Sequence, residues 1–468
     1  MVGAAVPCIA TKGMRRVAER LDERNATGAD EQTRGSSRTS RRIRRWAFLV
    51  VVLSVAALAV SCVFRGELTR KPSGFLTTSD AVVAVRLGSG WSTVAEDFRY
   101  DDYDGWIVLL DVDGHGQVVA VNNVSDGDVL WNERGVFYGS PSQDSLTTEA
   151  GTQGIERGHR SNERHRYALP DGALAVVHGE EFGFRVDTVH VDGRVTSVDN
   201  DKTRGSVGQC GSRILAITDT EESPGISAAA FAAHAARSGD EEAPTVLAAV
   251  VQLNDHDGEA SPLLAVAPMI DGLKSRQNMF ACEGDVITMP SVQADDAGAS
   301  RNGATTSNGP TSERQRTLVL QRWDLSTGER SIIPVLDEAG NPLELNDQQD
   351  VSEYEAIRVG SEYRFVSSGG DAFAVDLASS QGRHLFSLDV PRSEYLSVFQ
   401  VTETGVYALR DRRADRVVTL SYRSWDGGQW RDLVTTADLA PYLKKGMWTP
   451  TVDIQSFALR PGWDGGAQ

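Results

Sequence analysis

Cysteine, lysine and long apolar stretches are all scarce in this chain, and each scarcity narrows what it can be. Of four cysteines only Cys210 and Cys282 lie beyond residue 65, and no C-x-x-C occurs. That spacing excludes a zinc ribbon or a vicinal dithiol redox pair. G-x-S-x-G, H-E-x-x-H, a P-loop and a G-x-G-x-x-G after a strand are also missing. The local signatures of a serine hydrolase, a zincin and a nucleotide-binding fold are therefore absent. The eight histidines are scattered, and His159 and His165 sit in the basic stretch "ERGHRSNERHR" (156–166) with no carboxylate pair at hand. They read as surface residues. No catalytic, cofactor-binding or metal-ligating residue is assigned from the sequence, and no cofactor is implied.

Lysine accounts for only six of the 47 basic residues. The rest are arginine, as in proteins of GC-rich bacterial genomes. The net charge of −18 is unevenly spread: the first 71 residues carry +8, which leaves −26 on residues 72–468. A region that acidic repels phosphate backbones, so nucleic acid is not an expected partner.

One long apolar run exists. Trp46–Phe64 holds 19 residues without a charge, about 28 Å of helix, enough to cross a bilayer core. Arg41, Arg42, Arg44 and Arg45 precede it. The positive-inside rule keeps that flank cytoplasmic and exports the C-terminal region. The expectation is a retained signal-anchor helix at 46–64 in contact with the lipid bilayer. Two other fates stay open: cleavage at Ala57-Leu58-Ala59, or lipidation at Cys62, which ends "AVSC" (59–62). Residues 1–45 are polar and basic and read as a disordered cytoplasmic tail. Residues 65–103 read as linker and lead-in.

Beyond that point the apolar residues come in short runs closed by Gly, Asp, Asn or Ser, and no helical periodicity is sustained. Two kinds of unit alternate. A turn followed by a strand occurs in "ERGVFYGSP" (133–141), "CGSRILAITD" (210–219), "CEGDVITMPS" (282–291), "VGSEYRFVSS" (359–368), "TETGVYALRD" (402–411) and, less clearly, "DIQSFALRPG" (453–462). A hairpin occurs in "IVLLDVDGHGQVVAV" (107–121), "VDTVHVDGRVTSV" (186–198) and "LAAVVQLNDHDGEASPLLAV" (247–266). It recurs in "LVLQRWDLSTGERSIIPV" (318–335), "AFAVDLASSQGRHLFSL" (372–388) and "VTLSYRSWDGGQWRDLV" (418–434).

Four strands in roughly 40 residues, repeated, is the spacing of propeller blades. The sequence predicts an all-β fold: a six-bladed β-propeller over 104–463, with one transmembrane helix and a disordered tail ahead of it. Seven blades result if "RHRYALPDGALAVVHGEEFGF" (164–184) makes extra strands. The series starts with a hairpin and ends with a strand, so the strands near 448–460 are expected to share a blade with the hairpin at 107–121. Insertions are expected at 141–165, 220–244, where "ISAAAFAAHAARSG" suggests a short helix, and 294–316.

"LLDVDGHGQVV" (109–119) resembles the start of a calcium loop, with Asp111, Asp113 and Gly116 at the first, third and sixth positions. The fifth position would be His115 and the twelfth Asn122, not a bidentate Glu. It reads as a hairpin turn, for which Asp-Gly is suited. The acidic-aromatic "DFRYDDYDGW" (97–106) reads as a solvated lead-in to that hairpin.

Cys210 and Cys282 stand just before the Gly turns of adjacent repeats, at equivalent heights. A disulfide between them is expected in an oxidising compartment, with two buried thiols as the alternative. The "WDLSTG" hairpin (323–328) and the Gly-turn strand before it resemble six-bladed extracytoplasmic β-propellers of the TolB-like or quinoprotein-like type. The resemblance implies architecture only. The tryptophan-docking repeat of quinoprotein dehydrogenases is not found, so no cofactor is carried over.

The function expected from these features is that of a membrane-anchored extracytoplasmic propeller of the bacterial cell envelope, a non-catalytic binding or scaffold protein for an envelope protein or glycan. Two other classes are weighed: an enzyme acting on envelope glycan at the channel mouth, and a membrane-bound sensor.

Overall fold

Among the described residues, the turn-bounded runs form thirty strands in a computed structural model of the chain. It describes residues 68–465 apart from 73, 90–103, 123–126, 160–161, 180–182, 239–243, 258–259, 275–279, 295–315, 346–355, 368, 388–394 and 444–451. The proposed tail, the Trp46–Phe64 segment, Cys62 and nearly all of the 294–316 insertion lie outside the described residues. Among the described residues no helix is long and apolar enough to cross a membrane.

The strands make seven sheets. The first contains β1 (Thr69–Arg70), β2 (Val83–Ser89), β3 (Asp104–Leu110) and β4 (Gly116–Asn122). The second contains β5 (Val129–Asn132), β6 (Gly135–Gly139), β7 (Gln143–Thr148) and β8 (Gly151–Glu156). The third contains β9 (Asn162–Ala168), β10 (Leu174–Gly179), β11 (Gly183–Val189) and β12 (Val195–Asp201). The fourth contains β13 (Ser206–Cys210), β14 (Arg213–Asp219), β15 (Leu247–Gln252) and β16 (Leu263–Pro268). The fifth contains β17 (Leu273–Lys274), β18 (Ala281–Glu283), β19 (Val286–Ala294), β20 (Arg316–Asp324) and β21 (Glu329–Pro334). The sixth contains β22 (Ile357–Val359), β23 (Glu362–Val366), β24 (Asp371–Asp376) and β25 (Gly382–Ser387). The seventh contains β26 (Tyr395–Val401), β27 (Gly405–Arg412), β28 (Val417–Ser424) and β29 (Gly427–Thr436).

The last strand, β30 (Val452–Leu459), returns to the first sheet and pairs antiparallel with β2, Val83 opposite Leu459 and Val85 opposite Phe457. The first sheet thus runs β1-β4-β3-β2-β30. The chain ends share a blade that also holds the 107–121 hairpin, and the ring closes as a seven-bladed β-propeller.

The expected six blades are therefore seven. The stretch 141–165, expected to be an insertion, contains β7, β8 and the start of β9. The turn-strand at 133–141 has its own hairpin in "QDSLTTEAGTQGIE" (143–156), while the hairpin at 186–198 has its own inner strands, β9 and β10, within 162–179. The sequence pattern merges these two blades into one because β7 and β8 are polar and half-exposed and lack an apolar alternation. The strand β2 also precedes the expected start at 104. The Ala-rich segment does form a helix, α1 (Ser227–Ser238).

Alternation of side chains along each strand gives every blade two buried faces. Val83, Val85 and Leu87 pack against Leu409, Val418 and Leu420 of blade 7. Ala84, Ile107 and Leu109 face Val136 and Tyr138 of blade 2. Each blade-to-blade interface has its own apolar cluster, and all but one contain eight or more buried residues. The exception, between blades 2 and 3, has only three: Phe137, Leu174 and Val189.

The acidic turns are used by the backbone. Asp111 Oδ1 accepts from the amides of Asp113 and His115, both at 2.9 Å. Gly114 sits at φ +79°, where a side chain would be strained. Asp324 and Asp376 accept the same kind of bonds from Ser326 and Thr327 and from Ala378 and Ser379.

Ring closure rests on one strand. Phe457 is buried between blades 7 and 1. Phe457→Ala is expected to cost about 3–5 kcal/mol in chemical denaturation, the usual range for removing a core aromatic. A loss below about 1 kcal/mol would mean that β30 does not hold the ring.

Candidate functional site

Strand alternation predicts which residues meet where the apolar cluster between blades 2 and 3 is thin. On β6 and β7, Gly139 and Asp144 are cross-strand partners two residues from Phe137 and Leu146. They face blade 3, as does Arg157 just beyond β8. On β10 and β11, His178 and Asp187 share a face with Leu174 and Val189. On β9 the register slips at Val177/His178, so that Val176 pairs with Arg166 but His178 with Glu163. This bulge turns Glu163 and Arg166, three residues apart, to the same side. Arg86 on β2 reaches in from blade 1.

The side chains of Arg86, Asp144, Arg157, Glu163, Arg166, His178 and Asp187 are all buried. Arg166 holds Glu163 through both carboxylate oxygens (Nε–Oε1 3.0 Å, Nη2–Oε2 2.8 Å) and Asp144 at 2.7 Å. Arg157 donates to Asp144 at 3.3 Å and to the Ser140 carbonyl. Arg86 donates to the Gly139 carbonyl at 3.0 Å and stands 3.9 Å from Glu163. Gly139 must be glycine, because a Cβ there would collide with Glu163 and Arg166.

Three arginines face three carboxylates, so the buried set is neutral while the histidines are uncharged. Burial alone would raise the Glu163 pKa, but the positive charges of Arg166 and Arg86 outweigh it and hold the carboxyl down to about 2. For Asp187, burial is likewise outweighed, chiefly by the contact with His178, and the carboxyl lies below the ordinary range. Burial pushes His178 below the usual imidazole range.

A second grouping adjoins this network. Asp187 Oδ2 lies 3.1 Å from His178 Nε2 and 3.2 Å from His159 Nε2. The ring of His159 meets that of His178 edge-on, centroids 5.5 Å apart. His159 belongs to the link from blade 2 to blade 3 and is mostly shielded, its side chain 17% exposed. The expectation that His159 is a surface residue without a carboxylate is overturned: the fold brings Asp187 to it. His165 is separate, facing Asp128 at 3.5 Å. Sequence reasoning does not single out His178 and Asp187. Their signal is a charge-capable residue inside an otherwise apolar strand, "LAVVHG" and "GFRVDTV".

Cys210 ends β13 and Cys282 lies in β18. The strands belong to neighbouring blades, and the two residues are paired with Cα atoms 5.4 Å apart. Asp111, Asp113 and His115 also converge, but on an exposed turn. Of the stretch 97–106 only Asp104–Trp106 is described, as the start of β3.

The network has a pH signature. Glu163 carries an ordinary pKa of 4.5 when unfolded and about 2 when folded. Its contribution is therefore complete above the unfolded value and is lost as pH falls from about 4.5 toward 2. Glu163→Gln is expected to lower stability at pH 7 by about 3–5 kcal/mol, because Arg86 loses its buried counter-charge and Arg166 keeps only Asp144, which it shares with Arg157. It should also flatten the fall in denaturation midpoint between pH 5 and 3. An unchanged acid slope would show that Glu163 is not charged in the folded protein.

No family model matches the chain, and no curated protein does. Solved structures resemble it at low identity. A Synechocystis apocarotenoid oxygenase mutant is 9% identical with a TM-score of 0.43, covering 78% of this chain and 94% of its own. BamB from Moraxella catarrhalis is 11% identical at 0.35, covering 74% and 88%. A quinoprotein alcohol dehydrogenase-like protein from Bacteroides thetaiotaomicron is 10% identical at 0.36, covering 80% and 94%. The β-propeller fold rests on the seven sheets and their closure, and no residue role is transferred from these proteins.

Proposed function

We propose that this chain is a single-pass membrane protein of the bacterial cell envelope, with residues 1–45 cytoplasmic and the propeller exported. In this reading it is a binding or scaffold protein that presents one propeller face to an envelope protein or glycan. The observation that carries the membrane assignment is Trp46–Phe64, 19 uncharged residues directly after Arg41, Arg42, Arg44 and Arg45. The pairing of Cys210 with Cys282 supports export, since such a bond persists in oxidising compartments.

Topology favours one face. Antiparallel strands place the connections between second and third strands, and the blade-to-blade links, at the same end of every blade. The long connections 90–103, 220–246 and 295–315 are all of this kind, and α1 belongs to the second. The buried charge network lies beneath the same end, near the termini of β6, β9 and β10. A ring of packed sheets under long connections is a common way to display a binding surface.

Fractionation and labelling test the reading. The full chain should stay with membranes after an alkaline carbonate wash, and its C-terminal region should be digested by protease added to spheroplasts. Non-reducing mass spectrometry should recover the Cys210 and Cys282 peptides linked. A photo-crosslinking residue at Ala232 on α1 should give discrete products, and one at Asp192 on the opposite turn should not. Recovery in the soluble cytoplasmic fraction with both thiols alkylatable would overturn the proposal.

A further inference from the structure

The grouping of His159, His178 and Asp187 has a feature that ordinary buried ion pairs lack. Asp187 Oδ2, His178 Nε2 and His159 Nε2 converge, yet no well-directed hydrogen bond forms at any of these atoms, nor at His178 Nδ1. His159 Nδ1 is 3.3 Å from the carbonyl of Arg157. A carbonyl only accepts, so Nδ1 carries a proton there, and in the neutral ring Nε2 is the lone pair. Asp187 Oδ1 is engaged by Arg185 Nε at 3.2 Å, which leaves Oδ2 pointing at the two rings. In the neutral ring the His159 lone pair thus faces the Asp187 carboxylate, beside a His178 ring with no well-directed partner at either nitrogen, in a site where His178 and Asp187 are fully buried. Such an arrangement is costly unless a cation lies between them.

We propose that His159, His178 and Asp187 form a binding site for one divalent transition-metal ion of the zinc type. Two imidazoles and a carboxylate are the donors such ions take, and three protein ligands leave one position for water or a further ligand. The spacing fits. Ligand bonds of about 2.0–2.1 Å in tetrahedral geometry put neighbouring donor atoms about 3.3–3.4 Å apart. The observed 3.1 and 3.2 Å from Asp187 Oδ2 lie close to that, and all three donor atoms fall within 4.8 Å of one another. The outer partners are those a metal site uses: the Arg157 carbonyl fixes the His159 ring and Arg185 fixes the carboxylate. A metal here would clip the blade 2–blade 3 link to the second and third strands of blade 3, beside the thinnest apolar cluster in the ring. The ligands lie on β10, β11 and the link, away from the innermost strand β9, so this is not a site at the channel mouth.

The experiment uses the full, untagged chain in mild detergent with Zn²⁺ and Co²⁺ as probes. Elemental analysis after gel filtration should find about one zinc per chain, and Co²⁺ should give the visible absorption of a low-coordinate site that zinc abolishes. Chelation should lower the melting temperature. His159→Gln, on the partly exposed link, should keep the far-UV spectrum and weaken zinc binding by more than about tenfold, since losing even an outer partner of a ligand costs about that much. Asp113→Asn on the exposed turn should leave binding unchanged. An aquo-ion cobalt spectrum with no retained zinc would overturn the proposal. Wild-type affinity in His159→Gln, or loss of binding in Asp113→Asn, would overturn it equally.

Discussion

The pairing of β30 with β2 is the constraint on which the remaining structure depends. A four-stranded sheet with alternating apolar side chains has two faces to bury, and a row of such sheets always leaves two faces wet at its ends. Bringing residues 452–459 back beside residues 83–89 removes both ends at once. The register is set by side chains: Val83, Val85 and Leu87 must face blade 7 while Ala84 faces blade 2, and a slip of one residue would exchange them. The largest apolar cluster among the described residues, which includes Leu409, Leu420, Val434 and Phe457, lies at this seam. Closure thus concentrates hydrophobic burial at the seam where blade 1 is completed by a strand from the far end of the chain.

The interface between blades 2 and 3 is built by a different rule. It replaces most of the apolar contact with a buried, charge-balanced network whose members are contributed by blades 1, 2 and 3. Taking charges out of water costs several kcal/mol per ion, and their mutual attraction offsets this only with good geometry. That geometry is present in the two-point Arg166–Glu163 contact, in Asp144 shared between Arg157 and Arg166, and in the absence of a side chain at Gly139. Such a set contributes little net stability relative to an apolar packing, but it tolerates no missing member. It ties three blades into one register under the face that carries the longest connections.

Much of the architecture is legible in the primary structure because propeller strands follow simple chemistry. Asp-Gly, Ser-Thr-Gly and Gly-Gly turns mark the hairpins, and β-branched runs mark the inner and second strands. Blade 2 is illegible in part because its outer strands, "QDSLTT" and "GTQGIE", are half-wet and need no alternation. The strand β2 escapes notice for another reason: one partner, β30, lies some 370 residues away, and the other, β3, follows only after the long connection 90–103. The charged site is hidden more deeply. Nothing near His159 in sequence is a ligand for it, and Glu163 and Arg166 share a face only because of a β-bulge opposite His178.

The sequence by itself determined the all-β class and most of its strands, the turn chemistry, the acidic charge, the sharing of a blade by the two chain ends and the equivalence of the two cysteine positions. These are local properties, written in side-chain period and in the backbone preferences of Gly and Asp. The tertiary structure alone decided the number of blades, because that depends on where half-exposed strands find partners. It also decided that His159, His178 and Asp187 meet. Their approach is set by the angle between two sheets and by a one-residue slip in register, and neither is encoded in the spacing of the residues concerned.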